Sequence, residues 1–311
     1  MLKKFQISIL GSSAATPTSL RHTTAQVLHF HNKLFLLDCA EGTQMQIRRF
    51  KLPIMKFDHI FISHLHGDHY LGLPGLLFSY HLLGRDKDLH IYSPPGLKEI
   101  IEVQFRISGL KPVFNIIYHE LKKAREIIYE DRYLTVETME MEHRLPTFGF
   151  FFREKLLEKN IKKESIVQYD IPVEKIPEIK KGEDFVTPDG KVIPNSRITI
   201  SPSRPRSYAF CGDTAYTEKF LDQIKGADLL YHEATFLNDK AAIAREKSHS
   251  TTVEAATLAK KAGVKKLLLG HYSARYKEMA EFTKEAREVF PNTIIAEEGD
   301  IVKVGENASP A

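Results

Sequence analysis

The sequence predicts a mixed α/β or α+β chain, and three observations carry the prediction. Short runs of β-formers such as FQISIL, AQVLHF and KLFLLD alternate with stretches of helical spacing such as GLKEIIEVQFRIS and KEMAEFTKEAREVF. Strands and helices stay interleaved from end to end, which excludes an all-helical or all-strand architecture. At 311 residues, 42% of them hydrophobic, the chain has ample material for a sizeable core.

The elements follow in order. Three strands, 5–10, 25–30 and 33–38, surround the small-residue loop GSSAATPTSLRHTT. TQMQIRRFKL reads as a helix stopped by Pro53. HIFIS is a buried-type strand, and PGLLFSYHLLG a helix with Pro74 near its start and Gly84 past its end. LHIYSP is a strand and GLKEIIEVQFRIS a helix; TVETMEMEH is a strand ending at His143. From about 152 to 206 the pattern weakens, with 12 Lys or Arg against 9 Asp or Glu, and the segment reads as a protruding insertion. VTPDGKVI within it resembles a hairpin with an Asp-Gly turn. SYAFCGD, DLLYHEATF and KKLLLGH are strands with polar ends. TTVEAATLAKKAG is a helix, with Thr251 and Glu254 as a capping box and Gly263 closing it. A last helix precedes TIIAEEGDIVKV, read as one strand.

Composition narrows the function classes. A net charge of +4 permits a nucleic-acid partner without indicating one. Two cysteines, Cys39 and Cys211, make no disulfide framework and fit a reducing, cytoplasmic setting. MLKKFQISILG reads as a strand, not a signal peptide, and no run approaches the roughly 20 apolar residues of a membrane span.

The chemistry gathers at strand ends. FISHLHGDHY places His64, His66, Asp68 and His69 within six residues at the end of an apolar run. Crowded imidazoles repel when protonated and waste core space when neutral; a metal ion removes both objections. His143, Asp213 and His271 also follow strands. Five histidines and two aspartates are too many for one tetrahedral ion and suit two ions sharing a carboxylate. His64 and His66 can serve one ion from the strand end, and Asp68 and His69 the other from the turn that Gly67 allows. His29, His31, His59, His81, His90 and His119 are read as surface or satisfied core residues, and Cys211 as a small buried one.

These residues also carry a likeness. H-L-H-G-D-H resembles the signature of the metallo-β-lactamase superfamily. LGSSAATPT, LDCAEGTQMQ, HRLPTFGF, FCGDT, HEATF, SHST and HYSARY stand in the order of the short-form ribonuclease Z family of tRNA 3′-processing endonucleases, over nearly the whole chain. The resemblance implies a single αββα domain over 1–311, with the insertion at about 152–206 as a flexible arm that grips tRNA across a homodimer. It implies a phosphodiester hydrolase that cuts precursor tRNA after the discriminator base, leaving a tRNA 3′-hydroxyl and a trailer 5′-phosphate. It implies two zinc ions per subunit, manganese being the alternative. His64, His66 and His143 would hold one; Asp68, His69 and His271 the other; Asp213 would bridge. Asp68 would also be the general base, with Asp38 orienting the metal loop. His249 would protonate the leaving oxygen and Glu233 would orient His249. Arg21 and Arg275 would meet substrate, Arg275 having the alternative of pinning its own loop.

The match departs in two places. The loop that in relatives reads P-x-K-x-R-N keeps Pro17 and Arg21 but has Ser19 and His22, which leaves discrimination at the tRNA 3′ end open. The arm lacks the usual Gly-Pro pair, with YDIPVEKIPEIKKGED in its place. Three other functions compete: a phosphodiesterase for small diesters, an RNA-binding scaffold without catalysis, and a lactamase or thioesterase. The long arm speaks against the first, seven competent ligand positions against the second, and HEAT, SHST and H-x-S-x-R-Y against the third.

Overall fold

A computed structural model describes residues 4–305. Two seven-stranded sheets face each other. The first runs in spatial order through 301–303, 5–11, 25–30, 33–37, 57–61, 89–93 and 116–120. The second runs through 293–295, 267–270, 229–233, 207–210, 148–154, 134–140 and 127–130. Each sheet is half antiparallel and half parallel. The parallel strands are 33–37, 57–61, 89–93 and 116–120 in one sheet, and 207–210, 229–233, 267–270 and 293–295 in the other.

Both faces of each sheet are covered, which explains the near-continuous apolar runs. Along Lys33–Leu37, Phe35 and Leu37 join the seam between the sheets, while Leu34 and Leu36 join the outer layer. The seam is aromatic, with Phe61, Phe150, Phe152, Tyr208 and Phe210 among its members. Helices Gly72–Leu82 and Leu97–Ile107 cover the first sheet, and Thr252–Ala262 and Ala280–Val289 the second. The result is the four-layer αββα sandwich of the metallo-β-lactamase fold. The capping box forms as the sequence indicates: Thr251 Oγ1 accepts the Glu254 N–H and Glu254 accepts the Thr251 N–H.

Several elements differ from the sequence reading. The strand read as ending at His143 stops at Glu140. Beyond it, Glu142 N–H turns to Thr214 Oγ1 and His143 to Ser248 O, which carries the chain across the site instead of along the ladder. TIIAEEGDIVKV splits into Thr293–Ile295 and Ile301–Lys303, on different sheets, with a turn through Gly299 at φ 96°. FGFFFRE is a central strand, Phe148–Glu154, so residues 152–154 still belong to the sandwich. In VTPDGKVI, Phe185–Val186 pairs with Val192–Ile193 around residues 187–191, a longer loop than a two-residue turn.

Between Glu154 and Ser207 the chain leaves both sheets. It forms short helices Lys163–Gln168 and Ile176–Lys181 and a small apolar cluster of its own, Ile171, Ile179, Phe185, Ile193 and Ile198. Arg206 and Glu154 clamp its root at 2.7 Å. Cys39 and Cys211 are buried and free. Among the described residues no helix is long and apolar enough to cross a membrane.

Candidate active site

The parallel halves of the two sheets deliver their C-terminal ends to one edge, where backbone leaves the ladder and side chains converge. Asp38 follows Lys33–Leu37 and residues 64–69 follow Phe57–Phe61. Asp213 follows Ser207–Phe210, Glu233 ends Leu229–Glu233, and His271 follows Leu267–Gly270. His143 arrives from the end of an antiparallel strand. Asp38 and His271 hold left-handed backbone, at φ 54° and 60°, an uncommon conformation concentrated where geometry is dictated by function.

The histidine loop is pinned from below. Cys39 N–H donates to His69 O at 2.8 Å and Gly72 N–H to Cys39 O at 2.9 Å. At Gly72 a Cβ would lie 1.9 Å from the Ala40 carbonyl oxygen, so only glycine permits this approach.

Two interlocked ligand sets result. In the first, His64 Nε2 lies 2.9 Å from His66 Nδ1, which lies 3.3 Å from His143 Nε2. Asp213 Oδ2 stands 3.7 Å from His64 Nε2. In the second, His69 Nε2 is 3.6 Å from Asp68 Oδ2 and 3.4 Å from Asp213 Oδ1. His271 Nε2 is 3.4 Å and 3.2 Å from the same two oxygens. Atoms ~2.0–2.1 Å from a tetrahedral ion stand roughly 3.3 Å apart, which these separations approach. Asp213 offers one oxygen to each set. His69 Nε2, His271 Nε2 and Asp213 Oδ1 are buried without a hydrogen-bond partner, an arrangement that a cation would satisfy. The donor set therefore fits two divalent ions.

The other ring nitrogens fix the tautomers. His69 Nδ1–H donates to Asp38 Oδ2 at 2.8 Å and His143 Nδ1–H to Ser248 O at 2.8 Å. Thr235 gives its hydroxyl proton to Glu233 Oε2 at 2.6 Å and so accepts from His271 Nδ1–H at 2.9 Å. Ser63 Oγ–H donates to Asp38 at 3.0 Å and accepts from His64 Nδ1–H at 3.2 Å. Each imidazole is left with Nε2 facing the cluster. His66 differs, presenting Nδ1.

Electrostatics agree with this arrangement. Burial and the neighbouring His69 push His64 well below its ordinary value. Burial alone would raise Asp213, yet His271, His69 and His64 hold it well below the carboxylate range. Asp68 is likewise held low against burial, chiefly by His69 and His271, and its Oδ2 accepts the Ala15 N–H at 2.6 Å.

Beside the ligands stands a second pair. His249 Nδ1–H donates to Glu233 Oε1 at 2.8 Å. Burial opposes the imidazolium, but Glu233 and then Asp213 outweigh it and raise His249 to about 9. A third grouping, Asp213, Glu233, His249 and His271, is also close enough for a metal. Glu233 does not serve there: its oxygens already accept Thr214 N–H, His249 Nδ1–H, Thr235 N–H and Thr235 O–H. Its geometry suits orienting His249, whose Nε2 is left for a substrate.

The remaining sequence candidates separate. Arg21 spends its guanidinium on the carbonyls of Tyr276 and Lys277, at 2.9 and 2.8 Å, tying the loop after the first strand to HYSARY. Arg275 lies over the Phe236 ring, 4.9 Å from its centroid, with Nε on Ser273 Oγ. Neither lines the cavity of about 440 Å³ above the ligands. His22 is held by Glu298. His232 is buried, with Nδ1–H on Glu233 O. Sequence reasoning missed Ser63 and Thr235 as links between ligands, and Arg144 and Lys247 on the cavity wall. Thr235 lies inside HEATF and Ser63 abuts His64, so their adjacency to named residues was the available signal.

Comparison with known proteins adds an independent line. The family model of anti-Pycsar protein Apyc1 matches residues 5–158, and that of the beta-lactamase superfamily domain matches 173–272. Ribonuclease Z of Bacteroides fragilis strain YCH46 is 44% identical over 298 residues, covering 96% of this chain and 98% of that protein. Ribonuclease Z of Parabacteroides distasonis is 45% identical over 305 residues, covering 95% and 97%. The crystal structure of human tRNase Z, short form, superposes with a TM-score of 0.70 at 26% identity, covering 96% of this chain and 98% of that one. YhfI of Bacillus subtilis, at 19% identity and a TM-score of 0.69, shares the fold.

Proposed function

The chain belongs to the ribonuclease Z family, and from that premise we propose that it is the metal-dependent endoribonuclease that removes the 3′ trailer from precursor tRNA. The cut falls after the discriminator base and leaves a tRNA 3′-hydroxyl and a trailer 5′-phosphate. The observation that carries this reading is the pair of ligand sets with Asp213 between them, one oxygen toward each, and an oriented histidine alongside.

His64, His66, His143 and Asp213 would hold one zinc; Asp68, His69, His271 and Asp213 the other. When bound, such a pair supplies Lewis-acid charge that lowers the pKa of a water and neutralises charge building on the phosphate. The chain's own groups manage the protons. Asp68 has Oδ2 engaged by Ala15 N–H and turned toward His69 and His271. Asp68, held as a carboxylate, would take the attacking water's proton. The water oxygen bonds to phosphorus as the P–O3′ bond breaks. His249, fixed through Nδ1 by Glu233, gives its Nε2 proton to the departing O3′. Bound dications would pull His249 back from its high value, toward a group that is protonated yet able to release its proton.

The insertion serves substrate capture. It roots at Glu154, while Phe148 at the strand's other end bonds Ser63 O beside the ligands. Seven residues at ~3.3 Å each separate root and site by roughly 20 Å. An arm rooted that far from its own site favours a homodimer in which it grips tRNA bound to the partner.

The test is cleavage of a precursor tRNA carrying a 3′ trailer, wild type beside Asp68→Ala, with product ends mapped. A cut after the discriminator base, lost in the variant, supports the assignment. Hydrolysis of a generic phosphodiester without cleavage of the precursor overturns it.

A further inference from the structure

We propose that Arg144 and Lys247 bind backbone phosphates of the RNA strand on the 5′ side of the cut, and so set the register of the scissile bond. The inference rests on the nuclease function proposed above.

Both side chains line the cavity over the ligands. Arg144 follows the ligand His143 directly, and Lys247 lies two residues before His249. Two bonds zip these segments together: His143 Nδ1–H to Ser248 O at 2.8 Å, and Arg144 Nη2–H to Glu246 O at 2.8 Å. The Arg144 guanidinium and the backbone that carries Lys247 are thus held at a fixed offset from one ligand and from the acid. A single backbone contact leaves most of the five guanidinium N–H groups of Arg144 available.

The charge is uncommitted. Among the described residues neither side chain has a carboxylate within ion-pair distance, whereas the neighbouring Lys219 pairs with Glu142 and Lys122 with Glu120. A second cavity of about 670 Å³ shares His143 and Arg144 with the first and is lined by Lys122, Lys123 and Lys219. Glu140 and Glu142 also line it. The uncommitted positive charge therefore lies at Arg144 and Lys247 on the first cavity and at Lys123 on the second.

Strand polarity follows from the chemistry. O3′, which receives the His249 proton, belongs to the upstream nucleotide. The groups fixed to His249 therefore flank the upstream strand, not the trailer. A guanidinium fork and an ammonium point charge are the side chains that hold phosphate oxygens without reading bases.

The experiment uses the metal-loaded enzyme and three precursor tRNAs: unmodified, with neutral methylphosphonates at the first two linkages 5′ of the cut, and with the same change 3′ of it. Arg144→Gln and Lys247→Gln should each lower kcat/KM on unmodified RNA by about tenfold, the loss expected of one charged contact. Each should reduce the salt slope by about one. On the 5′-neutralised RNA these losses should largely disappear; on the 3′-neutralised RNA they should persist. Arg144→Lys should recover the salt slope. Losses that vanish only on the 3′-neutralised RNA would reverse the polarity and overturn the proposal, as would losses equal on all three. Wild type inert on the unmodified precursor would instead refute the nuclease function.

Discussion

Asp38→Asn isolates one proton beside the candidate metal ligands. Asp38 is fully buried. Oδ1 accepts Ser63 N–H at 2.7 Å; Oδ2 accepts Ser63 O–H at 3.0 Å and His69 Nδ1–H at 2.8 Å. An asparagine of the same shape must present its NH₂ to one of these places. Facing Ser63 N–H, it sets donor against donor in the core. Facing His69, it either clashes with Nδ1–H or forces the other tautomer, placing a proton on Nε2, which must face the ion. Each alternative leaves a buried donor unsatisfied, a cost of ~1–3 kcal/mol. Charged to metal binding, that is roughly a 10–100-fold loss of zinc affinity at the set of Asp68, His69 and His271. Competition titration against a chromogenic chelator reads it directly, with a melting curve of the metal-free protein to compare the folds. Wild-type affinity at both sites in a folded Asp38→Asn protein would refute the tautomer argument.

Four further outcomes follow from the same structure. Zinc should raise the melting temperature of metal-stripped protein, since ligand at about 1,000 Kd stabilises by roughly 4 kcal/mol; no shift, with zinc bound, would mean the ligands do not join the sheets. Closing the chain from Glu154 to Arg206 with a short turn is feasible because Arg153 pairs with Ser207. This deletion should cost on the order of 100-fold more on precursor tRNA than on bis(p-nitrophenyl) phosphate, through lost phosphate contacts, and equal losses would remove the arm from substrate capture. His29 is lowered to about 4, by burial and then by Lys4, so it is neutral when folded and titrates at 6.5 when unfolded. Its contribution is complete above pH 6.5 and lost as pH falls toward 4, by up to about 3 kcal/mol; urea unfolding of His29→Gln should show a shallower loss over that window, and an identical slope would dismiss His29 as a source. Gly72→Ala, which drives a methyl into the Ala40 carbonyl, should destabilise by about 2–3 kcal/mol and weaken zinc binding, with wild-type melting counting against the pinned loop.

Much of the clustering was legible because the residues that gather there follow strand ends, where a local pattern reports a local position. HIFIS followed by H-x-H-x-D-H announces both the strand and its cargo. His143, Asp213 and His271 follow the same rule more weakly, and the structure places all seven residues within the two sets. What stayed hidden depends on distant parts of the chain. Arg21 bonds carbonyls some 255 residues away, so its commitment to Tyr276 could not be read from its own loop. The apolar run around TIIAEEGDIVKV looked continuous because periodicity does not reveal which sheet a strand joins; Gly299 is where the chain changes sheets. The insertion's edge was blurred because FGFFFRE, buried on both faces, shows no alternation to mark it.

The arrangement also explains why one aspartate is shared. The loop after Phe61, on the first sheet, contributes His64 and His66 to one set and Asp68 and His69 to the other. The second sheet completes them with His143 and His271. Asp213 stands at a close approach of the two sheets: a Cβ on the preceding Gly212 would lie 3.0 Å from that of Ser63. From there its two oxygens face the two sets separately. Glu233, one strand further along, has every oxygen occupied by hydrogen bonds and serves His249 instead. Two carboxylates at the ends of adjacent parallel strands thus take opposite roles. The difference lies in their partners: the one left unsatisfied is available to cations, and the one fully bonded fixes the His249 ring.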